Sequence, residues 1–574
     1  MKVNIKKLLL FVFFYSYFIY PSYYIGGKEA KLFLLFLYVL FFLILKKVIP
    51  EQEPISFSIS YLKNISIPFF LGILCHLYFW MLPTPTLEDF QTYINVPALL
   101  LSNIYFYIPR WILVISSVFV FIITYLYISG KQRKIWYLLF IFGISLSIFV
   151  ILFLPLKDIG KIDHIFRHPP IPKTLYLLGY IFFGINEWVG NFIQFFLLSL
   201  TGIYVGKITQ FILLRKDTFS FICGFLITIF FPTLFNFTNL CGLAPGELFF
   251  TSASFYYFLC FLLDNKEESF FYSMSILGIG LLYERKIIFL FLFILLVLGI
   301  KRKISISVLK YSLIPFLFGF PFIIVSYQYR NASLSFSWIE DPRLLLLNAK
   351  QIWISLGPFI TLFVIASFFF LKRFRVLFLS FFLLYYISSI WGLGSIRHAQ
   401  PYYLIFAVIL SIGIAQTRAS ILFFLILIML YQAIFSSSPL LLNLSNYKSR
   451  EWTAGFGILP YGETIFYIKE NLKDKKIYAP MGCEPSLFYL AKYRIKERNW
   501  IRKPFLKDMD LVSLYKWCKE NKIAYIVLPL AGEGYLDSWV DSSLCKEIYS
   551  DKTYFKLKKA FFFGENCLFL SEIR

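Results

Sequence analysis

Apolar residues run in long blocks as far as about residue 435, and short polar or basic stretches separate the blocks. An α-helix needs about 20 apolar residues to cross a hydrocarbon core of roughly 30 Å, and unpaired backbone groups are too costly there for any open structure. The pattern predicts a polytopic α-helical membrane protein with about 13 to 15 transmembrane helices. The predicted spans are 8–24, 32–47, 66–82, 110–129, 136–155, 188–206, 217–235, 248–263, 269–283, 286–300, 306–326, 351–371, 375–391, 402–416 and 419–435.

The periodicity changes at about residue 440 to that of a small soluble α/β unit. No glycine-rich phosphate loop occurs in it, which favours an accessory domain over a nucleotide site. The predicted elements are helices at 463–472, 484–492 and 508–521, strands at 475–480 and 523–530, and a hairpin at 553–571 that turns at Gly564-Glu565-Asn566.

Composition supports lipid as the solvent for most of the chain. Hydrophobic residues make up 59% of the 574 residues and charged residues 15%, and the mean hydropathy is +0.72. An ordinary soluble globule carries roughly 25% charged residues, so that class is excluded. The first apolar segment follows three lysines, as in a signal peptide, but no small-residue cleavage site follows it and its tyrosines favour an interfacial anchor.

The net charge of +24 lies in short clusters between apolar segments and forms no continuous basic stripe, so no nucleic-acid partner is expected. Basic loops are retained in the cytoplasm. With a cytoplasmic N-terminus, all the clusters fall inside and the C-terminus falls outside. These clusters are Lys46-Lys47, Lys131 to Lys134, Arg215-Lys216, Lys301 to Lys303, Lys372 to Arg375 and Arg418.

Three regions follow from these patterns. Residues 1–135 are expected to form additional N-terminal transmembrane helices, residues 136–439 a membrane core with outward loops at 157–187, 236–247 and 327–350, and residues 440–574 a non-cytoplasmic α/β accessory domain. Eight cysteines show no C-x-x-C pair and no metal-like cluster, so neither zinc nor a redox role is supported, although the last four could form disulfides in an oxidising compartment.

Polar residues with chemical potential gather in the loop Asp158-Ile-Gly-Lys-Ile-Asp163-His164-Ile-Phe-Arg167-His168-Pro169-Pro170. The Pro-Pro pair fixes φ and can hold such a loop in one shape against the bilayer. The loop alone is equally compatible with a solvated connection between two helices. An apolar helix, Leu175 to Phe183, follows, and then Gly184-Ile-Asn186-Glu187-Trp188.

This order resembles that of the polyprenyl- or dolichyl-phosphate-sugar glycosyltransferases of GT-C architecture, which include protein O-mannosyltransferases and aminoarabinose lipid A transferases. Three later features are similar to family elements. They are Glu247 in Ala244-Pro-Gly-Glu247, the segment Gly278-Ile-Gly280-Leu-Leu-Tyr283-Glu284-Arg285-Lys286, and Arg397-His398-Ala-Gln400-Pro401-Tyr402-Tyr403.

The resemblance implies that a sugar moves from a lipid phosphate to a lipid, glycan or protein acceptor at the outer membrane surface. A carboxylate must deprotonate or orient the acceptor hydroxyl, and cations must stabilise the leaving phosphate. The implied base is Asp158 or Asp163. The implied substrate-binding residues are His164, Arg167, His168, Glu247, Arg285, Lys286, Arg397 and His398. Some family members use a divalent metal, and no carboxylate cluster here requires one.

The position of the base has an alternative. The family usually has an adjacent Asp-Glu pair near its first helix, whereas Ile159 follows Asp158 here. Glu88-Asp89, in the earlier loop at 83–109, is the alternative pair. Other hypotheses for the whole chain are an O-antigen polymerase or ligase, a lipid-linked-substrate flippase or transporter, and a GT-C homologue that has lost activity. A transporter would be expected to show inverted repeats and charges at membrane depth.

Overall fold

The computed structural model describes a large part of the chain. The described residues are 2–19, 28–50, 55–56, 60–80, 97–99, 101–102, 104, 108–129, 170–238, 244–328, 343–389, 400–435, 459–472, 474–479, 485–495, 499–501, 510–530, 542–563 and 566–574.

Helices dominate as far as residue 435. They are α1 (Ile5–Ile19), α2 (Lys28–Val48), α3 (Ser60–Trp80), α4 (Arg110–Ile128), α5 (Pro170–Phe183), α6 (Glu187–Leu213), α7 (Thr218–Phe230), α8 (Pro232–Thr238), α9 (Ala244–Asp264), α10 (Glu267–Leu281), α11 (Ile288–Ile300), α12 (Ile306–Gln328), α13 (Arg343–Phe368), α14 (Arg375–Ser389), α15 (Gln400–Ile414) and α16 (Ala419–Phe435). Short 3₁₀ turns at Arg285–Ile287 and Phe369–Phe374 join neighbouring helices, and β1 (Lys2–Val3) pairs antiparallel with β2 (Ile55–Ser56).

The predicted span 136–155 lies outside the described residues. Where the other spans are described they lie mostly in helix, and the prediction of a polytopic helical membrane protein is confirmed. Among the described residues, three helical runs are long and apolar enough to cross a membrane by length and composition: Glu187–Leu213, Ala244–Asp264 and Ile352–Tyr386. Shorter apolar helices accompany them. Large apolar side chains such as Ile67, Phe70 and Phe423 point outward, as expected for a surface solvated by lipid.

Two helices depart from the expected spans because of proline and glycine. The span expected at 217–235 is two helices, since Pro232 has no N–H for the helical ladder and begins α8 after an extended Phe231. In α13, Gly357 has a φ of 70° and precedes Pro358, so the helix kinks there.

Glycines bring α6 and α7 into close contact. A Cβ at Gly224 would lie 2.5 Å from the Gly206 Cα, and one at Gly206 would lie 2.6 Å from the Phe221 carbonyl oxygen. Gly202 and Gly206 are four residues apart on α6, the spacing that lets two membrane helices approach closely. This contact is the centre of a large apolar core that extends through α9, α10, α11, α14, α15 and α16.

The C-terminal region is the predicted small α/β unit. Its elements are α17 (Tyr461–Asn471), β3 (Ile477–Tyr478), α18 (Pro485–Tyr493), β4 (Trp500–Ile501), α19 (Leu511–Glu520), β5 (Tyr525–Pro529), α20 (Ser542–Ser550), β6 (Phe555–Phe563) and β7 (Asn566–Ile573). The strand order is β4-β3-β5-β7-β6. Strands β4, β3 and β5 are parallel to one another, and β7 is antiparallel to both of its neighbours, β5 and β6.

Strand β6 is an edge strand, and its register shifts between Leu557 and Lys559. β4 and α20 were not expected from the sequence. The cysteines that the structure describes in this region, Cys518, Cys545 and Cys567, are buried, and burial raises the pKa of the Cys518 thiol to about 12.

Candidate functional site

The turn between α10 and α11 brings charge to one end of the helix bundle. The Tyr283 and Glu284 N–H groups both donate to the Gly280 carbonyl, at 2.8 and 2.9 Å, and end α10. Arg285–Ile287 then form a 3₁₀ turn before the wholly apolar α11 begins. The Lys286 N–H donates to Glu284 Oε1 at 3.4 Å. The sequence segment Glu284-Arg285-Lys286 therefore lies in a turn between two apolar helices.

Glu247 lies at the same end, in the first turn of α9. Its side chain is 4% exposed, and within the described part of the chain its Oε1 has no hydrogen-bond partner. The positive end of the helix dipole favours a carboxylate at this position. Lys286 and Glu284 supply the charges that act on it. A buried carboxylate oxygen without a partner is costly, so this oxygen is available to a ligand that donates a hydrogen bond.

A tightly packed wall beside Glu247 is formed by Gly246, Tyr283 and Gln194. A Cβ at Gly246 would lie 2.0 Å from the Tyr283 Cζ, so only glycine allows the Tyr283 ring to rest on the α9 backbone. The Gln194 side-chain amide donates to the Tyr176 hydroxyl at 2.6 Å and lies 3.4 Å from the Tyr283 hydroxyl. These buried contacts join α5, α6 and the turn after α10 beside Glu247.

Tyrosines from the later helices lie near the same carboxylate. Tyr385 of α14 and Tyr402 of α15 are fully buried, and both interact electrostatically with Glu247. Thr251, one helical turn beyond Glu247 on α9, lies near the Tyr385 hydroxyl. The surroundings of Glu247 therefore combine a cation, a second carboxylate and phenolic hydroxyls.

Helix α5 lies between this end of the bundle and the C-terminal region. Its Ile171 N–H donates to the Leu282 carbonyl at 3.2 Å, which fixes the start of α5 to the turn that carries Lys286. Further along, the Tyr180 ring lies 6.1 Å from the Phe488 ring of α18. Tyr176 and Tyr180 belong to the same apolar cluster as the core of the C-terminal sheet.

An ion pair joins the two regions directly. Lys492 Nζ of α18 lies 2.7 and 2.6 Å from the two carboxylate oxygens of Glu187, the first residue of α6. The Tyr489 hydroxyl hydrogen-bonds the same carboxylate, and burial together with the Glu187 charge raises the Tyr489 pKa well above its ordinary value. Lys492 also lies 5.9 and 5.8 Å from the Tyr489 and Tyr493 ring centres.

The structure brings together two of the residues expected from the sequence, Glu247 and Lys286. Arg285 adjoins them in the turn, and its side chain lies outside the described part. The remaining candidates, which lie outside the described residues, are Glu88, Asp89, Asp158, Asp163, His164, Arg167, His168, Arg397 and His398. Among the described residues, no three His, Cys, Asp or Glu side chains gather where they could hold a metal ion.

Sequence reasoning did not single out Gln194, Tyr176 or Tyr283 as neighbours of Glu247. Gln194 carried a signal, since a glutamine in the middle of a long apolar helix needs a hydrogen-bond partner. His76 lies buried in α3 with its ring stacked on Phe235 at 4.0 Å.

Comparisons with known proteins give little beyond these observations. No family model matches the sequence, and no curated protein matches it. Among solved structures, the chain is similar to ArnT from Cupriavidus metallidurans in the apo state, with a TM-score of 0.35 and 10% sequence identity over 71% of this chain and 88% of that chain. A likeness at this score and identity does not by itself establish a shared fold or activity.

Proposed function

We propose that this protein is an integral membrane glycosyltransferase of GT-C type. It transfers a sugar from a polyprenyl-phosphate-linked donor to a lipid, glycan or protein acceptor at the outer face of the cytoplasmic membrane. The observation that supports this most is the buried Glu247 carboxylate at the end of an apolar bundle. Its Oε1 has no hydrogen-bond partner among the described residues, and the charge of Lys286 acts on it. Ionisable residues inside membrane proteins mark functional sites.

The chemistry is a direct displacement at the anomeric carbon. The acceptor hydroxyl forms the new C–O bond, the bond to the phosphate oxygen breaks, and a carboxylate takes the hydroxyl proton. The proposed base is Asp158 or Asp163, with Glu88-Asp89 as the alternative pair. Cations then balance the negative charge that develops on the leaving polyprenyl phosphate.

Glu247 and Lys286 have different roles in this proposal. The Glu247 oxygen accepts a hydrogen bond from a sugar or acceptor hydroxyl, and Lys286, Arg285 and Arg397 hold the phosphate. His164, Arg167, His168 and His398 complete the donor site. These groups match the parts of such a substrate: the carboxylate suits its hydroxyl groups, the cation suits its phosphate, and the apolar bundle suits its lipid tail.

The test is transfer from a radiolabelled polyprenyl-phosphate sugar mixture in membranes that contain the full chain. The variants are Asp158→Asn, Asp163→Asn and Glu88→Gln/Asp89→Asn. Loss of transfer in one of them, at normal expression, supports the enzyme class and identifies the base. No transfer by the wild type from any donor overturns the proposal and favours a flippase or an inactive homologue, and elongation of a lipid-linked polymer favours the polymerase class.

Glu247→Gln and Lys286→Met test the site that the structure describes. Removing one charged group that stabilises developing charge lowers turnover by about 10²-fold, so each variant is expected to lose most of its transfer. Glu267→Gln is the matched control, because Glu267 is exposed at the opposite end of the same helix pair. Full activity of Glu247→Gln and Lys286→Met would remove this site from the mechanism.

A further inference from the structure

Glu187 is not among the residues assigned to substrate above, and its surroundings give it another role. Both carboxylate oxygens are occupied by the Lys492 ammonium, and the Tyr489 hydroxyl binds the same group. The side chains of Glu187 and Lys492 are 19% and 23% exposed, so the pair is partly shielded from water. Its two members are 305 residues apart in the sequence. They belong to different regions, the membrane bundle and the C-terminal sheet region.

One face of α18 makes this contact. Phe488 and Lys492 are four residues apart and so share a face of the helix, where Phe488 packs against Tyr180 of α5 and Lys492 binds Glu187 of α6. The helix dipole of α6 favours the acid at its first position. An apolar contact and a charged contact therefore lie side by side on α18.

From α5 and α6 a chain of contacts leads to Glu247. Tyr176, one turn before Tyr180 on α5, accepts the Gln194 hydrogen bond, and Gln194 lies two turns beyond Glu187 on α6. Gln194 in turn meets the Tyr283 hydroxyl, and the Tyr283 ring rests on Gly246. Movement of α5 against α6 would therefore change the packing beside Glu247.

We propose that Glu187 and Lys492 are positioning residues: their ion pair docks the C-terminal region on α5 and α6 and thereby holds the Gln194, Tyr283 and Gly246 wall beside Glu247. The docking role rests on these contacts alone and does not depend on what reaction the protein catalyses. Only the effect of docking on sugar transfer rests on the proposed function. Neither residue touches substrate in this proposal.

Hydrogen exchange of the full chain in nanodiscs tests the docking without any enzymatic assay. Glu187→Gln and Lys492→Met each leave a partly buried charge without its partner, so exchange in peptides covering 170–183 and 485–493 should rise about 10-fold. The double variant should exchange no faster than either single variant, because both changes break the same contact. Lys492→Arg should retain protection, since its guanidinium can also bind both oxygens.

The matched control is Lys558→Met. Lys558 and Glu572 form an ion pair in the same region with a 3.9 Å separation and side chains that are 42% and 39% exposed, so its loss should leave exchange unchanged. Unchanged exchange in both Glu187→Gln and Lys492→Met would overturn the docking role.

Transfer kinetics of the same variants test the link to the site. A positioning role predicts that the acceptor KM rises in Glu187→Gln and Lys492→Met and returns to the wild-type value in Lys492→Arg, with a smaller change in kcat. Transfer abolished in Glu187→Gln at unchanged exchange would mean that Glu187 touches substrate, and would overturn the proposal. If the wild type transfers no sugar, the proposed function fails and the exchange results alone decide the docking.

Discussion

At the residue scale, Asp551 shows how one side chain fixes a local fold. Its carboxylate accepts backbone N–H groups of Tyr554 and Phe555 at 2.7 Å and of Thr553 at 3.2 Å, just where β6 begins. Partial burial acts to raise its pKa, but these hydrogen bonds to the charged form outweigh it and lower the pKa below its ordinary value. The charged form of Asp551 therefore stabilises the start of the hairpin.

Replacing Asp551 by alanine should lower the free energy of unfolding by about 1 to 2 kcal/mol at neutral pH, the usual effect of losing a capping carboxylate. Because the folded pKa is depressed, this contribution is fully present above the unfolded pKa of about 3.9 and is lost as pH falls through the folded pKa. Thermal unfolding of the full chain in detergent at pH 7 and pH 3 measures both effects.

The control for this prediction is Glu520→Gln, an exposed acid at the end of α19. It should leave the midpoint unchanged at either pH. A difference between wild type and Asp551→Ala that is as large at pH 3 as at pH 7 would show that the charge is not what stabilises the turn.

Glu247 and Lys286 were candidates from the sequence, Glu247 by its resemblance to a family acidic position and Lys286 as a charge that interrupts apolar sequence. Their neighbours were not predicted. Gln194 and Tyr283, whose side chains are in contact, are 89 residues apart in the sequence, and Glu187 and Lys492 are 305 residues apart. Contacts between residues so far apart depend on how helices pack, which no local pattern records.

At the element scale, glycine determines how closely α6 and α7 approach. Gly206→Ala or Gly224→Ala would place a methyl group within 2.6 Å of backbone atoms of the other helix. Neither helix backbone can move aside without separating the pair, so each variant should lose about 1 to 3 kcal/mol of stability. The unfolding midpoint of the full chain in detergent checks this.

Gly299→Ala is the matched control, because nothing lies within 4 Å of the added methyl group on α11. It should be neutral or slightly stabilising, as alanine favours helix over glycine. Equal destabilisation at Gly224 and Gly299 would show that the close packing of α6 against α7 is not the cause.

Element bounds followed closely from the apolar blocks because length and hydrophobicity directly specify a membrane helix. The expected span 306–326 corresponds to Ile306–Gln328, and 419–435 to Ala419–Phe435. The two elements of the C-terminal region that sequence reasoning missed are weak in pattern: β4 has two residues, too few for an alternation, and α20 has nine residues with polar side chains at both ends.

At the scale of the whole molecule, the pattern of basic clusters predicts the orientation in the membrane. Lys469 in the C-terminal region should face outward and Arg302, between α11 and α12, should face the cytoplasm. Both residues are exposed in the structure. Lys469→Cys should therefore react with a membrane-impermeant maleimide in intact cells, and Arg302→Cys should react only after permeabilisation.

The wild-type chain, with its own cysteines, gives the background labelling in this experiment. The reverse pattern would place the C-terminal region in the cytoplasm. It would also move the Glu247 end of the bundle to the inner surface, because Glu187 and the C-terminal region are joined by the ion pair with Lys492.

The edge position of β6 affects whether copies of the protein aggregate when they are crowded in a membrane. An exposed edge strand offers unpaired backbone groups to any other strand, which leads to edge-to-edge aggregation. Lys556, Lys558 and Lys559 lie along β6, and the register shift falls among them. Repulsion between like charges and a distorted edge both oppose pairing between copies along β6, so this edge is protected against polymerisation.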